Sequence, residues 1–475
     1  MDLHEDGGTE ARFAAYAAEL TSVLGHADRV GPFQDYCVGL LSAEGRKSVE
    51  PLAALTAPER TAAQHQSLLH IVGESPWQDE AVLTRVRELV LPTMTGAEPI
   101  QAWIVDDTGF PKKGTCSVGV ARQYCGQTGK QDNCQVAVSL SVATHQASLP
   151  VAYRLYLPQD WANDAARRAK VGVPDTIRFQ TKPDIALEQI RAMRAAGVPA
   201  AAVLFDPAYG NDGKFRAGIT AEGLPYVAGV FATLLVWRPG EAPQPQPEGE
   251  RRAWRKPGET RLQPVQVKTL AMELPTDAWQ TITWREGSNM LLTSRFIRLR
   301  VRPAPQAAGR SELAAEQWLL IEWPVGEVAP DHYWLSTLPA DIGFERMVDL
   351  AKLRWRIERD YLELKQEVGL GHFEGRRWRG FHHHASLCIA AYGFLVSERE
   401  TFPPSGGAGA ECRRRSGVPV DYRSRGAATA DTAPHAELHR NAAPPAGTNS
   451  RPRSAPMSLL RANAPETRGA ALMTQ

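Results

Sequence analysis

The order of secondary-structure signals after residue 100 constrains the fold of this chain more than any other feature of its sequence. A short apolar run at 102–105 is typical of a buried strand and ends at Asp106-Asp107. Alternating runs at 134–143 and 150–156 predict two more strands, and helical spacing at 184–196 precedes an apolar strand at 200–205 that ends at Asp206. Carboxylates at strand ends are exposed at the edge of a sheet, where α/β proteins collect functional groups. The pattern predicts an α/β domain with Asp107 and Asp206 at such an edge.

A third carboxylate, Glu358, lies on a helix predicted at 343–368. At the helical step, Arg354, Glu358 and Lys365 fall within about 40° of one another. An apolar stripe runs beside them and would anchor the helix in a core: Leu353, Ile357, Tyr361, Leu364 and Val368. A carboxylate flanked by two cations suits a divalent metal held beside a phosphate. The same spacing also fits a surface helix whose charges pair at i,i+4.

Three strands, a helix, a strand and a later helix describe the ribonuclease-H-like fold, in which the first strand, the fourth strand and a C-terminal helix meet at one edge. That fold would bring Asp107, Asp206 and Glu358 together. Carboxylates so placed bind two Mg²⁺ ions about 3.5–4 Å apart, which clamp the attacking and leaving oxygens of a phosphodiester. A single Asp at a strand end is more simply a turn residue. The ordered triple beside a cationic helix favours a metal site.

The composition divides the chain into three regions. Residues 1–98 carry helical spacing punctuated by prolines and form a candidate DNA-binding helical domain. Residues 99–400 form the expected ribonuclease-H-like catalytic domain, with a strand-rich insertion at about 220–345. Residues 401–475 shift to Pro, Gly, Ala, Ser and Arg, which predicts a disordered or weakly ordered tail.

Charge and targeting signals narrow the function further. The formal net charge is only +1, so any nucleic-acid surface must come from local clusters of cations. The six cysteines form no C-x-x-C pair, which favours reduced structural thiols over a zinc site. The N-terminus has no basic and apolar signal region, and no run of about 18 apolar residues occurs. We expect a cytoplasmic protein, associated with the nucleoid if it acts on DNA.

Several motifs occur in a recognisable order: WIVDDTGFPKKG at 103–114, SVGVARQYCG at 117–126, VLFDPAYG at 203–210, RWRIERDYLELK at 354–365 and WRGFHHH at 378–384. Together they resemble the DDE transposases of bacterial insertion sequences, specifically the IS701 group, which is related to the IS4 group. The resemblance covers roughly residues 10–400. It implies an endonuclease that uses Mg²⁺, with Mn²⁺ as a substitute, and acts on double-stranded DNA at element ends and target. It also implies a homodimer on paired ends.

The resemblance assigns the catalytic residues. The first aspartate is the one before the threonine, Asp107, with Asp106 as the alternative, because neighbouring strand residues point to opposite faces and only one can ligate. Asp206 and Glu358 are the second and third. The IS4-group signature Y-x₂-R-x₃-E-x₆-K matches at Arg354, Glu358 and Lys365. Ala351 stands where the signature has its tyrosine, so a tyrosine contact to DNA is not expected there.

Other cations are candidates for binding DNA beside Arg354 and Lys365. Lys112 and Lys113 follow Asp107 directly, and Arg376 and Arg377 form a basic-aromatic cluster with Trp378 that could track a DNA backbone. A solvated turn is the alternative for that cluster. The neighbouring residues 382–384 are all histidines, but neighbours at a helix start point in different directions and cannot close around one ion. They are expected to serve the helix start or the DNA side.

Two rival functions remain compatible with the sequence. A nuclease of the same fold would hydrolyse DNA without joining it, and strand-transfer products distinguish the two. A catalytically inactive relic would bind and occupy element ends without cutting them. The intact Asp/Asp/Glu set argues against the relic, and the atypical residues after 401 argue for it.

Overall fold

The computed structural model describes residues 8–241, 262–286, 291–304 and 314–403. All of them belong to one compact unit, Met1–Arg425. The tail expected at 401–475 lies outside the described residues, except for 401–403.

The N-terminal region is helical, as its apolar spacing predicts. Its helices are α1 (Thr9–Thr21), α2 (Val30–Ser42), α3 (Val49–Thr56), α4 (Thr61–Gly73) and α5 (Asp79–Met94). Among the residues that the structure describes, no helix has both the length and the apolar character needed to cross a membrane.

Strands and helices then alternate in the predicted order. The elements are β1 (Ala102–Pro111), β2 (Ala121–Cys125), β3 (Lys130–Ala143), β4 (Ser148–Leu155), α6 (Gln159–Asn163), α7 (Ala165–Val171), α8 (Lys182–Ala195), β5 (Ala202–Phe205), α9 (Pro207–Gly210), α10 (Gly213–Ala221) and β6 (Tyr226–Val230). Helix α8 starts where Thr181 and Asp184 form a capping box, because each side chain accepts from the other residue's backbone N–H.

The central sheet has the strand order that defines the ribonuclease-H-like fold. Strand β1 pairs antiparallel with β3 and parallel with β5. On the outer sides, β4 pairs antiparallel with β3, and β6 pairs parallel with β5. The resulting order is β4-β3-β1-β5-β6, with β2 added to the far end of β3. The ribonuclease-H-like prediction is therefore confirmed. The first strand does not end at residue 105 as predicted, because pairing with β3 continues it to Pro111, so Asp106 and Asp107 lie in the middle of β1 beside the end of β5.

A strand-rich segment follows and extends the same sheet beyond β6. It consists of β7 (Leu235–Trp237), β8 (Val265–Gln266), α11 (Val267–Met272), β9 (Gln280–Glu286), β10 (Leu291–Pro303), β11 (Gln317–Pro324) and β12 (His332–Ser336). Strand β12 pairs with β6 and joins the segment to the central sheet. We refer to residues 235–336 as the strand-rich segment.

Three helices complete the described chain: α12 (Phe344–Leu353), α13 (Trp355–Gln366) and α14 (Trp378–Thr401). The single helix predicted at 343–368 is divided at Arg354, where the Ile357 N–H donates to the Arg354 carbonyl at 3.1 Å, a tighter i→i+3 bond. Glu358 therefore lies in the first turn of α13, where the helix dipole favours a carboxylate.

Helix α14 is buried along most of its length, and the N-terminal helices pack around it. Tyr16 donates to the Ala390 carbonyl at 3.0 Å, and Arg12 pairs with Glu398 at 2.6 Å. One continuous hydrophobic core therefore includes residues of the N-terminal helices, of α14 and of the central sheet. This core supports the β4 side of the sheet and leaves the middle of β1 and the end of β5 free to carry the site.

Candidate active site

Asp106 and Asp107 lie on opposite faces of β1. Residues on the Asp106 face, such as Ile104, share a core cluster with Leu353 and Ile357 of the helices α12 and α13. Residues on the Asp107 face, such as Val105, pack in the other cluster with the apolar side of α8. Because side chains alternate along a strand, Asp106 faces the helix that carries Glu358 and Asp107 faces the start of α8.

Arg354 links Asp106 to Glu358. Its Nη1 donates to Asp106 Oδ2 at 2.9 Å, and its Nη2 donates to Glu358 Oε1 at 3.0 Å. The Asp106 side chain is 16% exposed and that of Glu358 67% exposed, so one end of the site is buried and the other opens to solvent. Asp106 and Glu358 therefore already share one cation.

Asp206 directly follows β5 and caps the short helix α9. Its Oδ1 accepts from the backbone N–H of Ala208 at 3.0 Å and of Tyr209 at 3.2 Å. The turn packs tightly against β6, since a Cβ added at Gly210 would lie 1.7 Å from the Gly229 carbonyl oxygen. This close backbone contact, which only glycine allows, fixes the position of Asp206 beside β1.

The two buried aspartates interact electrostatically. Burial raises the pKa of Asp106 to about 7, with Arg354 opposing the shift and the charges of Asp206 and Asp107 adding to it. Burial likewise raises the pKa of Asp206, against the effects of Arg354 and two backbone N–H groups, and the Asp107 charge raises it further. Carboxylates that raise each other's pKa form a site where added positive charge is stabilising.

Asp107 has its own partners on the other face of the sheet. Lys182, the first residue of α8, pairs with Asp107 Oδ2 at 2.9 Å, and the Tyr209 hydroxyl donates to the same oxygen at 3.4 Å. Neither partner was expected from the sequence. Lys182 could have been noticed only as the residue after the N-cap Thr181, at the end of α8 nearest to the predicted carboxylates.

Of the other predicted cations, Lys365 lies against β1. Its Nζ donates to the Gly109 carbonyl at 2.8 Å and to Gln127 Oε1 at 3.2 Å, and burial lowers its pKa to about 8. Ala351, at the tyrosine position of the signature, is 5% exposed and belongs to the core cluster beneath α12. The three residues that match the signature, Arg354, Glu358 and Lys365, thus lie on one face of the site.

The four remaining cations surround the loop after β1. Lys112 Nζ donates to the Phe373 carbonyl at 2.8 Å, and burial lowers its pKa. Lys113 and Arg376 are exposed. Arg377 is also exposed, and its Nη1 lies 2.7 Å from Glu74 Oε2. Lys112 and the 373–377 segment are therefore brought together, but no direct contact joins them to the carboxylates.

The three neighbouring histidines are core residues of α14. His382 Nε2 accepts from the Leu155 N–H at 3.2 Å, His383 Nε2 lies 3.0 Å from the Trp77 carbonyl, and His384 Nε2 lies 3.1 Å from the Gly369 carbonyl. Burial lowers the pKa of all three, so they are neutral near pH 7. Their partners lie on different elements, as expected for side chains that cannot share an ion.

The carboxylates fit a divalent metal by chemistry rather than by their present arrangement. Within the described ranges, no three His, Cys, Asp or Glu side chains converge closely enough to hold an ion. Arg354 and Lys182 instead pair with Asp106 and Asp107. Carboxylate oxygens are the ligands that Mg²⁺ and Mn²⁺ prefer. Burial raises the pKa of Asp106 and Asp206, and neighbouring aspartate charges raise it further, so a bound cation would favour their ionised forms.

Comparison with known proteins supports this description. The DDE superfamily endonuclease family matches residues 19–290, more than half of the chain. The chain belongs to the DDE superfamily endonucleases, which confirms the class that the motifs predicted. Endonucleases of this superfamily generally use divalent metal ions.

The chain is also similar to a particular curated protein, the probable transposase for insertion sequence element IS701 from Microchaete diplosiphon. The two are 31% identical over 200 residues, which cover 42% of this chain and 48% of that protein. The chain thus spans about half the length of the curated relative that it matches.

The chain is also similar to a solved structure, the piggyBac transposase synaptic complex with hairpin DNA. The matched region covers 83% of this chain and 67% of the piggyBac chain. Its TM-score is 0.39 at 11% identity, so the fold assignment rests on the strand order described above.

Proposed function

We propose that this chain is a DNA transposase, which cuts phosphodiester bonds at the ends of an insertion sequence and joins the freed ends to a target. The observation that carries the proposal is that Arg354 contacts both Asp106, at 2.9 Å, and Glu358, at 3.0 Å, and lies close enough to Asp206 to interact with its charge. These carboxylates are far apart in sequence and come from β1, the end of β5 and α13. Similarity to the IS701 transposase supports transposition over hydrolysis alone.

Asp106 is the first carboxylate in this proposal, in preference to the sequence-based choice, Asp107. Asp106 shares a face of β1 with the residues that pack against α12 and α13, and Asp107 is engaged by Lys182 at 2.9 Å. An ion that bound Asp107 would displace Lys182, and an ion that bound Asp106 would displace Arg354. Only the second displacement also frees Glu358, because Arg354 links Asp106 to Glu358.

The proposed cofactor is a pair of Mg²⁺ ions, for which Mn²⁺ can substitute, held by Asp106, Asp206 and Glu358. When bound, such ions activate the attacking hydroxyl and stabilise the leaving 3′ oxygen. Arg354, released from the carboxylates, would take a phosphate oxygen of the DNA next to Glu358, because its planar donors suit phosphate. Asp206 keeps its orientation through the two N–H groups of α9 that it caps.

The DNA would lie across the carboxylate edge of the sheet. Arg354 and Lys365 are the proposed phosphate contacts nearest the chemistry, and Lys112, Lys113, Arg376 and Arg377 are the proposed contacts farther along the strand. Lys113 and Arg376 support this role by their exposure. We further propose a homodimer on paired element ends, because two ends must be cut and joined together. This dimer would act in the cytoplasm on nucleoid DNA.

The test is cleavage and joining of labelled DNA that carries the sequences flanking the coding region. Wild type and Glu358→Ala would be compared in Mg²⁺, Mn²⁺ and EDTA. Metal-dependent cutting with joined products, lost in Glu358→Ala while DNA binding persists, supports the proposal. Cutting without joined products would indicate a hydrolytic nuclease, and binding without cutting would indicate an inactive relic. Equal cutting by both proteins would remove Glu358 from the site.

A further inference from the structure

A buried ion pair joins α12 to the strand-rich segment just before the active-site residues. Lys352 Nζ lies 2.6 Å from Glu322 Oε2, and the two side chains are 17% and 3% exposed. Glu322 is on β11, whereas Lys352 is two residues before Arg354. One residue, Leu353 at the end of α12, therefore separates Lys352 from Arg354 of the site.

Aromatic rings surround the Lys352 ammonium. It lies 4.5 Å from the ring centroid of Trp284, 5.9 Å from that of Phe296 and 5.8 Å from that of Trp334. These rings come from β9, β10 and β12, so one side chain contacts four strands of the segment when Glu322 is included. A cation held near aromatic rings in a water-poor site is attracted by the negative charge of the ring faces, most strongly by Trp.

The remaining contacts of α12 are of two kinds. Arg346 and Asp349, nearer its start, make polar contacts with Gln101 and His145 beside the strand ends, and the face that packs on the strands is apolar. Met347, Val348 and Ala351 share a core cluster with Leu320 and Phe296. Apolar side chains of this kind stabilise an interface without fixing its register, since similar packing is available after a small shift. A buried charge has one acceptable position, because leaving its partner unpaired is strongly unfavourable. The Lys352–Glu322 pair therefore fixes the end of α12 that leads into Arg354.

We infer that Lys352 is a positioning residue for the proposed chemistry. Through Glu322 and the three rings it fixes the end of α12, and so sets where Arg354 and Glu358 stand against Asp106. The inference rests on the proposed function and gives the strand-rich segment a role in the chemical step. Lys352 is not a DNA contact, because its ammonium is enclosed and already paired.

The test compares Lys352→Met, Glu322→Gln, the double variant and Lys352→Arg with wild type. Single-turnover cleavage of the flanking-sequence DNA would be measured over ranges of DNA and Mn²⁺ concentration, and Mn²⁺ binding would be measured separately by calorimetry. The matched control is Arg12→Met, which breaks another buried ion pair, Arg12–Glu398 at 2.6 Å between α1 and α14, and touches no site residue. Melting temperatures would show that every variant is folded at the assay temperature.

Both single changes should lower the rate constant at saturating DNA by about ten- to a hundredfold, the cost of a small misplacement of reacting groups. DNA affinity should stay within about twofold, and the Mn²⁺ requirement should rise. The double variant should be no worse than either single variant, because the residues act as one unit. Lys352→Arg, which keeps the charge, should recover most of the rate. Arg12→Met should lower the melting temperature without changing the cleavage rate.

Two outcomes would overturn the inference while wild type cuts DNA. Weaker DNA binding at an unchanged rate constant in Lys352→Met would make Lys352 a DNA contact. An equal loss of rate in Arg12→Met at a matched melting temperature would make the effect one of stability. An active wild type with an equally active Lys352→Met would also contradict the inference. If instead wild type neither cuts the DNA nor binds Mn²⁺, the proposed function itself fails, and the two failures are thereby distinguished.

Discussion

Arg354 Nη1 donates to Asp106 Oδ2 at 2.9 Å, and this contact joins the start of α13 to the middle of the central sheet. The same guanidinium reaches Glu358 at 3.0 Å, so a protein cation stands between two carboxylates that would otherwise repel each other. Like charges in a buried site are unfavourable unless a cation offsets them. Arg354 thus opposes the protonation of Asp106 and holds Asp106 and Glu358 on one cation before metal and DNA arrive.

Asp106→Asn should abolish cleavage, with a rate loss of at least about a thousandfold, because residues that act as one catalytic unit cannot be removed singly without losing most of the effect. Asp107→Asn should lower the rate by less than about tenfold, since it affects only the 2.9 Å pair with Lys182 and the 3.4 Å hydrogen bond from Tyr209. Single-turnover cleavage in Mn²⁺ measures both. The two variants make the same substitution at neighbouring positions, so each controls for the other. The reverse order of effects would restore Asp107 as the first ligand.

DNA binding should weaken at alkaline pH through Lys365. Burial lowers the pKa of Lys365 to about 8, so the ammonium is mostly charged at pH 7 and mostly neutral at pH 9. Loss of one phosphate contact should weaken binding several-fold. Fluorescence anisotropy at pH 7, 8 and 9 would measure the affinity. Lys365→Arg is the matched control, because arginine stays charged over this range. An identical pH dependence in that variant would exclude Lys365 as the titrating group.

Acid should destabilise the fold through His384. Burial lowers its pKa to about 4, so the folded state stays neutral where the unfolded chain, with its pKa near 6.5, takes up a proton. The contribution to stability is therefore complete above about pH 6.5 and falls as the pH drops towards 4, by about 3 kcal/mol in total.

Urea unfolding of wild type and His384→Gln at pH 7 and pH 5 would check this prediction. The variant should be less stable at pH 7, since His384 contacts Tyr36 and the Gly369 carbonyl. Its stability should change less between the two pH values than that of wild type. An equal change in both proteins would assign the acid sensitivity to other groups.

The sequence predicted the parts of the site that depend on local pattern. Apolar runs located β1 and β5, and their ends located Asp106, Asp107 and Asp206. Helical spacing located Glu358 between its cations. The choice between Asp106 and Asp107 was beyond the sequence, because it depends on which face of β1 the helix α13 covers, and that is decided by packing far along the chain.

Contacts across long separations were equally beyond the pattern. Lys182 reaches Asp107 because α8 packs against the sheet, and no spacing in the sequence reports that distance. The break at Arg354 also gave no signal, since residues 343–368 contain no proline and a single glycine, Gly343, which precedes α12. The histidines 382–384 were expected at the helix start or on the DNA side, but all three are buried in α14, where they contact other elements of the core.

The turn that carries Asp206 should tolerate no side chain at Gly210. An added Cβ would lie 1.7 Å from the Gly229 carbonyl oxygen, a backbone atom that cannot move aside without disturbing β6. Gly210→Ala should therefore destabilise the protein by at least about 1–3 kcal/mol, the usual cost of overpacking. It should also lower cleavage more than stability alone explains, because Asp206 precedes the displaced turn.

Gly213→Ala is the matched control for that prediction. Gly213 is the first residue of α10, three positions farther along, and the nearest atom to an added Cβ there is Arg216 Nη2 at 3.7 Å, which is ordinary contact. Alanine favours helix over glycine by up to about 1 kcal/mol, so this variant should be as stable as wild type or more so, with unchanged cleavage. Denaturant unfolding and single-turnover cleavage of both variants measure the difference. If Gly210→Ala matched Gly213→Ala in both assays, the close approach of α9 to β6 would not hold Asp206 in place.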